Sequence, residues 1–118
     1  MSAPNKLALS ETEKVFAHHL GAFAEGLDSI MKDYSESSIL ITPDAEFSGF
    51  DAIKGFFKTF LDNATPEFWA AFTVQVKWVH ENVAYLVWSA PPFLKSATDT
   101  LVIRDGRIAV QTFTAFVA

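Results

Sequence analysis

The feature that most constrains how this chain folds is a change of apolar period near Pro66. Before that point Phe16, Leu20, Phe23 and Leu27, and then Ile53, Phe56, Phe57 and Phe60, recur at helical spacing. After it Val74, Val76 and Trp78 alternate with Thr73, Gln75 and Lys77, as in a strand with one wet face. Helices first and strands afterwards specify an α+β domain, with the helices gathered on one side of an antiparallel sheet. At 118 residues the chain has the length of one domain able to bury most of its apolar surface.

Local signals divide the chain further. Ser10 followed by Glu13 fits a capping box, so residues 1–9 read as a loose tail and residues 10–118 as the domain. Gly26 breaks the first helix, and a short second one over 27–32 presents Leu27, Ile30 and Met31. Serines and Glu36 then turn the chain into Ile39-Leu40-Ile41, a β-branched run ended by Pro43. A third helix is predicted over 50–61. Glu81-Asn82 links strands at 73–79 and 83–88, and Pro91-Pro92 interrupts the ladder because neither residue donates to it. Asp105-Gly106, which favours positive φ, joins strands at 99–104 and 107–117.

Half of the chain is apolar, with twelve Phe, three Trp and two Tyr. That is more aromatic surface than so small a core needs, so some rings are expected to line a cavity or a subunit interface. A net charge of −5 with scattered basic residues leaves no electrostatic footprint for nucleic acid. The absence of cysteine excludes disulfides and thiol nucleophiles and leaves the compartment open. No apolar run approaches the roughly 20 residues that span a bilayer, and Met1 to Leu9 lacks the apolar core of a signal peptide. A soluble, cytoplasmic protein is the expectation. His18, His19 and His80 lack the spacing of a metal-ligand set. There is no Gly-x-Ser-x-Gly elbow and no glycine-rich phosphate loop, so no metal or cofactor is expected.

The stretch Leu27-Asp28-Ser29-Ile30-Met31, Tyr34, Ile39-Leu40-Ile41-Thr42-Pro43, Gly49-Phe50-Asp51-Ala52-Ile53 and Phe56-Phe57 resembles the front half of the nuclear transport factor 2-like superfamily. That superfamily includes ketosteroid isomerase and the SnoaL-type polyketide cyclases. The resemblance runs from about residue 12 to the C-terminus. It implies a cystatin-like cone, three N-terminal helices on a strongly curved antiparallel sheet enclosing a pocket, and a homodimer formed through the outer sheet surface.

In ketosteroid isomerase a helix Tyr, a catalytic Asp before the strand-ending Pro, and a late-strand Asp kept neutral by its apolar site reach into the pocket. Anchoring on Pro43 places the base position at Thr42, whose hydroxyl cannot remove a carbon-bound proton near neutral pH. The helical face of Phe16 and Phe23 places the Tyr position at His19. That match needs a one-residue gap, because the family's Gly-Asp-Leu-Asp stands here as Gly26-Leu27-Asp28. The turn Gly106-Arg107-Ile108 places the second Asp at Asp99, with a turn one residue shorter than in the isomerase.

If His19 and Asp99 share the pocket they form a dyad, with Asp99 fixing the tautomer of His19 for proton abstraction beside a carbonyl. The alternative makes His19 a hydrogen-bonded helix-flank residue and Asp99 a strand-start carboxylate bonded to Thr98 or water. Phe16, Phe23, Phe57 and Phe113 are candidate ligand-binding walls, and Thr42, Tyr34 and Gln111 candidate polar contacts. Trp69, Trp78, Trp88 and Tyr85 are candidates for the pocket mouth, or else core or interface. Three function classes follow. The first, favoured by the missing base at Thr42, is a pocket for a small, largely apolar or aromatic molecule. The second is an isomerase, cyclase or dehydratase using His19 and Asp99. The third is a dimerisation module with a vestigial cavity.

Overall fold

The computed structural model describes residues 10–117, so the expected tail at 1–9 lies outside the described residues. Helix α1 (Glu11–Ala22) starts at the capping box. The Ser10 hydroxyl accepts the Glu13 N–H at 3.1 Å, and the Glu13 carboxylate accepts the Ser10 N–H at 2.8 Å. Its inward face carries Thr12, Val15, Phe16, His19 and Ala22. Gly26, at φ 116°, opens α2 (Leu27–Met31) from a backbone conformation that side chains resist. Helix α3 (Phe50–Asn63) buries Ile53 and Phe57.

A fourth helix, α4 (Pro66–Ala71), stands where the period change suggested only a boundary. Thr65 caps it by accepting the Phe68 N–H at 3.1 Å. Pro66 takes a first-turn position, where its missing N–H would have had no intrahelical partner. Six residues are too few for a periodic signal, and the described residues form four helices rather than the expected three.

The strands are β1 (Ile39–Ile41), β2 (Glu46–Ser48), β3 (Thr73–His80), β4 (Val83–Ala90), β5 (Leu94–Arg104) and β6 (Arg107–Phe116), in the order β2-β1-β6-β5-β4-β3. Every neighbouring pair is antiparallel except β1 and β6, which run parallel. The short β2 gave no alternation to read. Asp105 and Gly106 both have positive φ, 54° and 74°, as a tight two-residue hairpin turn requires.

One strand reading is corrected. Val74, Val76 and Trp78 were expected to share the covered face of β3, but a bulge between Val74 and Val76 shifts the register. An extra residue moves everything beyond it to the other face. Trp78 therefore pairs with Tyr85 on the outer face and is 68% exposed, while Val79 packs on the core opposite buried Ala84.

Further register breaks fall between Trp88 and Ala90 and between Val102 and Ile103. Such breaks bend strands, and the sheet is curved and open. Its inner face packs on the helices through Leu40, Leu101, Ile103 and Ile108 against Ile30, Met31 and Ile53, all buried. No helix among the described residues is long and apolar enough to cross a membrane.

Candidate functional site

Towards one end of the sheet the helices do not close over the concave face, and a cavity of about 500 Å³ remains. Helix α1 with its C-terminal cap Phe23 and helix α3 contribute Leu20, Phe23, Phe56, Phe57 and Phe60 to its wall, and the α4 region contributes Trp69 and Phe72. The sheet supplies Leu86, Trp88 and Phe113. The rings meet edge to face, for example Phe23 with Phe57 at 5.8 Å and Phe60 with Trp69 at 6.0 Å, the arrangement that ring quadrupoles favour. The polar side chains in the wall are His19, Asp99 and Gln111.

Strand register explains one polar cluster. Asp99 lies opposite Leu86 on β4 and Phe113 on β6. Trp88 and Gln111 are therefore its diagonal neighbours on the same face, within reach of long side chains. The Trp88 indole N–H donates to Asp99 Oδ2 at 2.8 Å, and the Gln111 amide donates to Oδ1 at 2.9 Å. The Tyr34 hydroxyl donates to Gln111 Oε1 from behind, which completes a buried chain of four side chains. Burial pushes the Asp99 carboxyl above the usual carboxylate range. The donated hydrogen bonds of Trp88 and Gln111, and then the charge of His19, pull the other way. Tyr34 is held well above its ordinary value, by burial first and then by the nearby charges of Asp99 and Asp33.

The second cluster surrounds Asp33, at the exit of α2. Its backbone carbonyl accepts the Ile108 N–H at 2.7 Å, which ties this exit to β6. Its Oδ1 lies 2.7 Å from His18 Nδ1, and its Oδ2 faces His19 Nδ1 at 3.7 Å. The His19 ring is wedged edge-on among Phe23, Tyr34 and Phe57. No group of three or more His, Cys, Asp or Glu among the described residues is placed to hold a metal ion.

The structure thus brings His19, Phe23, Phe57, Trp69, Trp88, Asp99, Gln111 and Phe113 to one cavity. It places the other candidates elsewhere. Phe16 is buried in the core one turn before His19, outside the cavity wall. Tyr34 stands behind Gln111 and reaches the cavity only through it. Thr42 closes the β1–β2 turn, its Oγ1 accepting the Ala45 N–H at 3.1 Å. Trp78 and Tyr85 point outward rather than at a pocket mouth, because of the β3 bulge and the alternation of β4.

The expected His19–Asp99 dyad is also corrected. Each oxygen of Asp99 accepts one bond, from Trp88 or Gln111, and the carboxylate within 4 Å of a His19 ring nitrogen is Asp33 instead. Sequence reasoning passed over Asp33 as the residue before Tyr34. Three wall rings, Phe56, Phe60 and Phe72, were not among the sequence candidates; the i, i+4 pair of Phe56 and Phe60 on α3 was the available signal for the first two.

Neither a protein-family model nor a curated protein sequence matches the chain. Solved structures do. An NTF-2 like protein of unknown function from Burkholderia xenovorans is 16% identical with TM-score 0.72, over 92% of this chain and 84% of that one. A proposed SnoaL-like polyketide cyclase from Shewanella putrefaciens is 8% identical with TM-score 0.71, over 96% of this chain and 84% of that one. A de novo designed protein with a curved β-sheet is 19% identical with TM-score 0.70, over 91% and 88%. Such low identities carry architecture and not chemistry, and the architecture is that of the NTF2-like fold.

Proposed function

We propose that the protein binds a small, largely apolar or aromatic molecule in the cavity between its sheet and its helices. The observation that carries this reading is the wall itself: a space of about 500 Å³ ringed by Phe and Trp, with His19, Asp99 and Gln111 as its polar side chains. Ligand sites have this size and this ratio of apolar surface to placed polar groups. Thr42, at the position that the family resemblance assigns to the isomerases' base, serves a turn, which favours binding over steroid isomerisation.

The test is a thermal-shift screen of neutral bicyclic and tricyclic aromatics. A ligand present at 100 times its Kd adds roughly 2.7 kcal/mol, or roughly 8–16 °C in a domain of this size. Ala24→Trp, at a cavity-lining position, should abolish the shift. A screen with no hit, or hits that ignore the Trp, would defeat the reading.

A second reading, an isomerase, cyclase or dehydratase, of which the Shewanella neighbour is named for the cyclase, is favoured by one observation. The ring of His19, a general acid–base residue type, sits in the cavity wall with a carboxylate behind it. Turnover of a polyketide-like β-dicarbonyl that His19→Ala abolishes would establish it. The outer sheet face, with Trp78, Tyr85 and Phe116 exposed, suits a homodimer. Large apolar residues grouped on a small protein's surface mark contact surfaces.

A further inference from the structure

Among the described residues two buried side-chain polar atoms have no hydrogen-bond partner, Nδ1 of His19 and Oδ2 of Asp33, and they face each other 3.7 Å apart. The residues that carry them are 4% and 5% exposed. Leaving both orphaned is costly, because each has given up its hydration for nothing in return. A shift of a few tenths of an ångström in each side chain joins them in a hydrogen bond. Contacts of this kind are often long in ligand-free sites and tighten on binding. Asp33 is not free to turn away. Its other oxygen is held by His18 at 2.7 Å on the solvent side, and its backbone carbonyl is held by Ile108 at 2.7 Å.

A carboxylate only accepts, so Nδ1 of a neutral His19 must carry the proton when the two meet. The proton then cannot be on Nε2, the ring nitrogen that makes no hydrogen bond within the described residues and belongs to a side chain of the cavity wall. We propose that Asp33 is the positioning residue of the cavity: braced by His18, it holds Nδ1–H of His19 and leaves the Nε2 lone pair facing the ligand. Asp99 and its partners agree with this polarity, and the Trp69 indole is the other N–H carrier in the wall. Asp99 also offers oxygens, and its two donors, the Trp88 N–H and a Gln111 N–H, are already spent on it. No Lys or Arg among the described residues lines the cavity. The site therefore favours an aromatic molecule bearing an O–H or N–H donor, such as a phenol or enol, over its capped ether and over an aromatic acid. This ligand preference rests on the binding function proposed above, whereas the tautomer does not.

The experiment is nitrogen-15 NMR of the imidazoles in the ligand-free protein, at a pH above the ordinary histidine range. His19 is expected with its proton on Nδ1, against the usual Nε2–H preference of free imidazole. In Asp33→Ala the Nε2–H form should gain. A wild-type His19 protonated on Nε2 overturns the proposal, even if the variant fails to fold. So does a folded Asp33→Ala that keeps the Nδ1–H form. The probe pair 2-naphthol and 2-methoxynaphthalene then tests the ligand preference. The naphthol should bind roughly three- to tenfold tighter, with the advantage lost in Asp33→Ala. Equal affinities overturn the preference alone. If neither probe binds, the preference falls together with the binding function, and the tautomer is still decided by the nitrogen shifts.

Discussion

Replacing Trp88 by Phe tests the buried chain of polar side chains where its consequences are easiest to measure. The substitution keeps an aromatic ring but removes the N–H that reaches Asp99 Oδ2 at 2.8 Å. A hydrogen bond to a charged group contributes about 1.5–3 kcal/mol. Trp88 also packs at 5.0 Å from Phe72 and stacks at 6.2 Å on Phe113, and thinning these contacts costs about 0.5–1.5 kcal/mol. With Asp99 ionised the total is about 2–4.5 kcal/mol. With Asp99 protonated the bond is an ordinary one of about 0.5–1.5 kcal/mol, and the total falls to about 1–3 kcal/mol.

The sign with pH follows from the direction of the Asp99 shift. Burial raises its carboxyl in the folded protein above the value in the unfolded chain. Its contribution to stability is thus complete below the ordinary carboxylate range and is lost as pH rises through the raised value. Removing the indole donor, which lowers that value, raises it further, so the variant loses more than the wild type over the upper part of the window. Urea denaturation from about pH 4 to about pH 8 should show a deficit that widens with pH by about 1–1.5 kcal/mol. The widening should vanish when Asp99→Asn is added. A deficit constant across that range would refute the assignment of a titrating, donor-held carboxylate.

Tyr34→Phe should cost about 1–3 kcal/mol in the same measurement, because it leaves Gln111 Oε1 unpaired in a residue only 2% exposed. Thr42→Ala should cost at most about 1 kcal/mol and leave 2-naphthol affinity unchanged, since Thr42 serves the β1–β2 turn; a fall in affinity would return it to the site. Trp78→Glu, on the exposed outer face, should halve the mass found by sedimentation equilibrium. A wild-type protein that is already monomeric would end the homodimer reading.

Much of the architecture was legible because it follows from short-range rules. The capping box at Ser10 and Glu13, the break at Gly26 and the Asp105-Gly106 turn each depend on a few adjacent residues. The α+β order follows from two apolar periods. The misreadings lie where local signals are too short or where one residue resets a pattern. Helix α4 spans less than two turns, β2 has three residues, and the β3 bulge turns Trp78 outward.

The aromatic content and the inward periodicities made Phe23, Phe57, Trp88 and Phe113 candidates for a cavity wall, and the family resemblance, not the periodicity, implied Asp99 beside them. The sequence alone could not say which carboxylate serves which partner. That depends on side chains that meet across the fold: Tyr34 and Gln111 are 77 positions apart, and His18 and Asp33 are 15. The reach of a side chain is a few ångströms, whereas strand register and helix packing decide positions over tens. Asp99 therefore lies on the diagonal of Trp88 and Gln111, and the task of holding His19 falls to Asp33.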